Sequence, residues 1–348
     1  MKFGPVAAAE ASGCVLAHSL RLPDGTLRKG SVLGAEELVR LAAAGVHTVV
    51  VAQLEAEDVG EDAAAEQVAH ALAGADADIG RASTGRVNVY ARHAGLMLLD
   101  AARVHAANAV HEGLTIATLH SETPVAEGQM LATVKIIPYA VPRSALAQVR
   151  QCLRGAAQPG RRALRVAAWR RSAVGLIMTR LPETAESVLA KMREAVLLRL
   201  RPLEATLAVE DTVPHEADAV AQALRRMAAH PDAPRLLLVS GIAATVDRHD
   251  VVPAAVVAAG GVVRHAGMPV DPGNLLVLAD LGSAQGPRPV VGIPTCARSP
   301  KLNGFDFVLR RLAAGEDVAA ADIMAMGVGG LLTEIESRPM PRDPRRRG

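Results

Sequence analysis

The chain is 348 residues long, half of them hydrophobic, with aromatics at only 2% and a formal charge of +2. That length leaves room for two or three domains with ample cores built from Ala, Val and Leu. The scarcity of aromatic rings argues against base-stacking nucleic-acid modules, and the small charge against a polyanion partner.

The cysteines Cys14, Cys152 and Cys296 are odd in number and far apart, with no metal-ligand spacing. A reduced cytoplasmic protein without a structural zinc is expected. The opening MKFGPVAAAEASG lacks the long apolar core of a secretory signal, and no run reaches membrane-spanning length, so no membrane partner is expected.

Taken in order, GCVLAHSL reads as a short strand, LPDGTLRKG as turn-rich, AEELVRLAAAGV as an amphipathic helix stopped by Gly45, and HTVVVAQL as a strand. The apolar face of that first helix, Ala35–Val46, has no evident cover in the lobe and is expected to pack on another subunit. A helix follows at about Asp62–Ala73, then a loop, GADADIGRASTGRV. LMLLDAARVHAANAV reads as a further helix. GLTIATL and MLATVKIIPYAV, separated by the turn SETPVAEGQ, read as a hairpin. The segment VAEGQMLA also occurs in lipoyl- and biotin-carrier barrels, but Lys135 falls inside a strand, where a carrier lysine does not belong.

From about Arg165 strands and helices alternate, with apolar strands unbroken by polar residues. The pattern predicts an α/β domain built on a mostly parallel sheet in three layers, behind a mixed α+β N-terminal lobe. The expected boundaries are 1–75 for the lobe, 76–160 for a middle region with the hairpin, 161–315 for the α/β domain, and 316–348 for a C-terminal helix and basic tail. The concentrated basic run PRDPRRRG reads as a solvated tail.

Sites in such sheets lie at the carboxyl ends of strands, so four loops qualify, after Thr179, Ser240, Gly267 and Pro294. In RLPETAES, Thr179 and Glu183 could meet a ligand, or Thr184 and Glu186 could simply open a helix. SGIAATVDRHDVVPAA offers Ser240, Gly241, Ile242, Thr245, Asp247, His249 and Asp250. Small residues admit a ligand to the backbone, and free N–H groups attract anions, while two acids suit a ligand that brings Mg²⁺ or needs a base. The plain alternative is a turn held by Asp247 and a helix capped by Asp250. No G-x-S-x-G elbow accompanies Ser240, which argues against a hydrolase triad. The third loop, HAGMPVDPGN, is explained by its D-P-G turn. In GIPTCARSPKLNGFD, Thr295, Arg298, Ser299 and Lys301 form a cation pair with hydroxyls, suited to phosphate or carboxylate. Cys296 lacks a visible partner base for a nucleophilic role.

The region from about Arg165 to Gly315 resembles the molybdopterin-binding domain shared by molybdopterin molybdotransferases and adenylyltransferases. SGIAATVDRHDVVP matches the family's strand, S/T-G-G loop and Asp, with Asp250 in the Asp place. GMPVDPGN matches G-x-x-x-x-P-G-K through Pro272 and Gly273, with Asn274 where the lysine stands. GIPTCA matches G-L-P-G-N-P through Gly292 and Pro294, with Thr295 opening the departure. GCVLAHSL, GTLRKG and LAAAGVHTVVV are similar to the opening of the molybdotransferase. The resemblance implies a molybdopterin-binding fold and a role in molybdenum-cofactor biosynthesis, by metal insertion or nucleotide transfer. It implies molybdopterin as ligand, Mg²⁺, molybdate or a nucleotide beside it, and Asp250 and Asp247 as metal-binding and catalytic. The binding set would be Thr179, Ser240, Gly241, Ile242, Thr245, Pro272, Gly273, Asn274, Pro294, Thr295 and Lys301. A homo-oligomer is implied, as is a hand-over to a molybdenum-cofactor cytidylyltransferase or an apo-molybdoenzyme. Two other readings stay open: a Mg²⁺-dependent ADP-ribose-type pyrophosphatase similar to competence-damage-inducible proteins, suggested by AATVDRHD, and a non-enzymatic molybdopterin carrier.

Overall fold

The computed structural model describes residues 1–154, 162–170, 172–231, 234–283 and 286–332, so PRDPRRRG lies outside the described residues. The chain divides into two compact units, Met1–Ala167 and Ala168–Gly348.

In the first unit, Lys2–Ala7 and Val15–Leu16 flank Thr48–Gln53 in an antiparallel sheet. The helix Ala35–Ala43 ends before Gly45, whose φ of +69° suits glycine. Part of its apolar face is covered within the unit itself, while Val39 stays exposed. Leu41 is fully buried in a small core with Leu16, Leu27, Leu33 and Val51, joined by Leu38 and Val46.

A second core gathers around the helices Glu61–Leu72, Ala101–Asn108 and Arg143–Arg154. The expected single helix LMLLDAARVHAANAV is in fact a strand, Gly95–Leu99, followed by the helix Ala101–Asn108. Asp100 breaks it, because its carboxylate accepts the Arg103 N–H and so starts a new helix there. The expected loop around GADADIGRASTGRV contains the strand Ala77–Ile79. Leu114–Thr118 pairs antiparallel with Met130–Ile136, as the hairpin reading expects. Lys135 lies within that second strand, with its ammonium donating to the Thr84 carbonyl and 4.0 Å from Glu61.

The second unit is built on one six-stranded sheet. Its strand order is Thr206–Pro214, Ala173–Arg180, Leu236–Ser240, Arg288–Ile293, Val277–Leu281, Val262–Ala266. The first three pairings are parallel and the last two antiparallel, so the sheet is mixed rather than mostly parallel, and the sheets of the first unit are mostly antiparallel. The cause lies in connection length. Parallel neighbours need a crossover of a dozen or more residues, and helices provide it after Arg180, Pro214 and Ser240. The links from Ala266 to Val277 and from Leu281 to Arg288 are short and carry no helix, so those strands reverse.

Leu236–Ser240 is buried at every position, which requires cover on both faces of the sheet. Helices Ala217–Ala228 and Val251–Ala258 share a core with Leu237, Val239 and Val290 on one face. The alternate positions Leu176, Leu238 and Val291 are buried on the other. The alternation brings the loops after Arg180, Pro214, Ser240, Ala266 and Ile293 to the same edge.

Candidate functional site

Each strand that meets the carboxyl edge ends in a short, internally bonded loop. Thr179 is fully buried near the end of its strand, and its Oγ1 accepts the Ile242 N–H at 2.8 Å. The same oxygen lies 2.8 Å from Nδ1 of His215, the first residue after the neighbouring strand. The hydroxyl either donates its proton to Nδ1 or accepts from Nδ1–H on its second lone pair, according to the imidazole tautomer, and in both cases the two side chains are tied together. The His215 ring abuts the loop itself, since a methyl group on Gly241 would sit 3.8 Å from its Cε1.

From the next strand comes Arg298, in the single turn Thr295–Arg298. Its Nη2 donates to the carbonyls of Gly241 and Ile242, both at 2.7 Å. Its Nε is buried with no partner among the described residues. Burial lowers the guanidinium from its ordinary basicity, and its acceptors are two carbonyls rather than a carboxylate.

Further along, Arg199 donates from Nε to Asp306 Oδ1 at 2.7 Å, in an ion pair with little solvent contact on either side chain. Its Nη2 donates to the carbonyls of Ser299 and Lys301. Asp306 accepts the Asn303 N–H through its other oxygen, and the Asn303 side chain caps the helix Gly304–Ala313. Asn303 Nδ2 sits 3.2 Å from Cys296 Sγ, so the neighbour of this exposed thiol is an amide and not a base. The third loop closes on the same helix start. The Gly304 N–H donates to the Pro272 carbonyl at 2.8 Å, and Gly273, at φ +146°, has no room for a side chain, since a Cβ there would sit 2.8 Å from the backbone of Gly304.

Thr179, Gly241, Ile242, Pro272, Gly273 and Thr295 thus belong to one connected set of loops. Ser240 is buried at its strand end, Pro294 is buried beside it in the sheet order, and Thr245 is half-buried. Asn274 is exposed and its amide reaches the Met268 carbonyl at 3.4 Å. Lys301 joins the set through its own carbonyl, held by Arg199.

The two aspartates have different surroundings. Asp250 caps the helix Val251–Ala258, accepting from Val251 N–H at 2.8 Å and from Val246 N–H at 3.1 Å. Asp247 turns outward and accepts both the N–H and the imidazole of His249, each at 2.8 Å. The His249 backbone bond, then its ring, holds the Asp247 carboxyl below its ordinary value. Among the described residues no group of three or more His, Cys, Asp or Glu is arranged for a metal ion. The N–H groups of Ala243, Ala244 and Thr245, by contrast, have no acceptor among the described residues. Ala243 and Ala244 are exposed, so these donors are open to water or to a ligand.

His215 is absent from the residues expected from sequence. The signal was present in the alternation of Leu207, Val209 and Val213, which carries that strand to Pro214 and leaves His215 at its end. Arg298 was legible as a cation near the right loop, but not as the brace between two strands.

Residues 5–53 match a family model described as a domain of unknown function (DUF8806). No curated protein matches the chain. A solved structure, a molybdenum cofactor biosynthesis protein from Pyrococcus furiosus, is similar at 12% identity and a TM-score of 0.23, over 93% of this chain and 65% of that one. The chain therefore spans less than two thirds of that structure's length. A likeness of that size defines neither the fold nor the activity of this chain. No helix among the described residues is long and apolar enough to cross a membrane.

Proposed function

We propose that the second unit binds molybdopterin, or a closely related phosphate-bearing pterin, at the carboxyl edge of its sheet. One observation carries the reading. The three segments that resemble the molybdopterin-binding family, SGIAATVDRHDVVP, GMPVDPGN and GIPTCA, are separate in sequence but meet at one sheet edge: Ser240 and Ile293 are register partners, Arg298 just past the third segment bonds the Gly241 carbonyl, and the helix that follows donates from Gly304 to the Pro272 carbonyl. The ligand phosphate would take the N–H groups of Ala243–Thr245, with the Arg298 guanidinium behind them supplying the missing positive charge. The ring would lie against Gly241 and Thr295, with the His215 imidazole at its margin.

Mg²⁺ fits this arrangement only as an ion held mainly by the ligand's oxygens and water, with Asp247 or Asp250 adding one carboxylate, as Mg²⁺ commonly is held in phosphate sites. In that role these acids would stabilise charge developing in metal insertion or nucleotide transfer. A chain that binds without turnover would act as a carrier, passing molybdopterin to a cytidylyltransferase or an apo-molybdoenzyme, and assembly into a homo-oligomer belongs to the same proposal. Native mass spectrometry and pterin fluorescence of the full chain, purified from a pterin-producing host, test the reading. A stoichiometric bound pterin is the expected result. Absence of bound pterin and no uptake of added molybdopterin, with Mg²⁺-dependent hydrolysis of ADP-ribose instead, would transfer the site to the pyrophosphatase class.

A further inference from the structure

The opposite edge of the same sheet holds a cavity of about 650 Å³, a volume suited to a small organic ligand. It opens where the strands Ala173–Arg180, Leu236–Ser240 and Arg288–Ile293 begin, away from the loops described above. Three arginines line it: Arg170, Arg235 and Arg288.

Arg288 is the unusual member. It is 6% exposed, and burial lowers its guanidinium from the ordinary value. Its one hydrogen bond among the described residues runs from Nη1 to the Ala228 carbonyl at 3.0 Å, which leaves most of a five-donor fork unspent. Fully desolvated guanidinium groups are normally paired with an anion, because an uncompensated buried charge is costly. Arg170 donates to the Gly315 carbonyl at 3.0 Å, and Arg235 is exposed at the rim. The acids of the lining do not neutralise this group. Asp317 is paired with Arg264 at 3.1 Å, and Glu316 has a partner of its own. Capping of helix-terminal carbonyls explains one bond each of Arg170 and Arg288, but neither the burial of Arg288 nor the presence of Arg235. Leu200, Leu236 and Leu309 supply an apolar wall beside the arginines.

We infer that this cavity is a second ligand site, taking a small organic molecule with one phosphate or carboxylate on Arg288 and Arg235 and an apolar body against the leucines. The inference is independent of the pterin reading, since no residue is shared between the two edges.

Calorimetric titration of the full chain with inorganic phosphate and with phenyl phosphate, at ionic strength matched with chloride, tests it. The expected result is saturable binding of both, tighter for phenyl phosphate. Arg288→Met should weaken it at least tenfold, Arg235→Ala should weaken it several-fold, and Arg92→Gln on the surface of the first unit should leave it unchanged. Wild-type protein with no response beyond that of chloride would overturn the inference, as would binding lost in Arg298→Gln at the other edge but kept in Arg288→Met. Should Arg288→Met fail to fold, the exposed Arg235→Ala decides, and unchanged affinity there counts against the site.

Discussion

The hydroxyl of Thr179 is shared between the Ile242 N–H and the Nδ1 of His215, at 2.8 Å on each side. One fully buried oxygen thereby sets the position of the loop after Ser240 and ties the imidazole beside it.

Replacing Thr179 by Val keeps the shape and removes the hydroxyl, leaving a loop N–H and an imidazole nitrogen without partners. Stability should fall by about 1–3 kcal/mol, the cost of unsatisfied buried groups, while Thr179→Ser should lose less. Urea unfolding of both variants measures the difference. Heteronuclear NMR of the His215 ring adds a second readout. The wild type should show one dominant tautomer, and Thr179→Val should lose that bias.

Asp250 caps its helix through the Val251 N–H, and Asn caps about as well as Asp. Asp250→Asn should therefore hold its melting temperature within a few degrees and retain pterin affinity. A metal-dependent turnover, where the wild type shows one, should fall by on the order of 10²–10³, since a full negative charge is removed. Unchanged turnover would reduce Asp250 to a cap.

Asp306 is the counter-charge of the buried Arg199 and the acceptor for the Asn303 N–H. Its replacement by Ala leaves a guanidinium buried without its anion, and destabilisation of about 3–5 kcal/mol is expected in chemical denaturation. Because Arg199 also holds the Ser299 and Lys301 carbonyls, ligand affinity at the carboxyl edge should fall as well.

In the first unit, burial raises Glu61 above the ordinary carboxylate range, with Lys135 opposing the shift. The folded state therefore holds the Glu61 proton more tightly than the unfolded chain does. Its contribution favours folding on the acid side and is lost as pH rises through the folded-state value. The stability of the wild type relative to Glu61→Gln should decline with rising pH across the mildly acidic range. A difference that stays flat in pH-dependent urea unfolding would contradict this assignment.

The residue pattern alone located most helices and strands, because an apolar period of two or near four leaves one dominant way to bury a segment, as in Leu236–Ser240 or Gly304–Ala313. It also placed four loops at strand ends, where connections are obliged to lie. Leu96–Leu99 read as helix because a short apolar run carries no period of its own, and pairing with Thr123–Val125 made it a strand. The reversal of Val277–Leu281 likewise depended on which neighbour its short connections could reach. The tertiary structure alone decided which polar groups meet. Thr179 with His215, Arg298 with Gly241, and Arg199 with Asp306 are each joined across long stretches of chain. No local period encodes such pairs. They follow from strand order, and strand order is settled only when the whole sheet buries both of its faces.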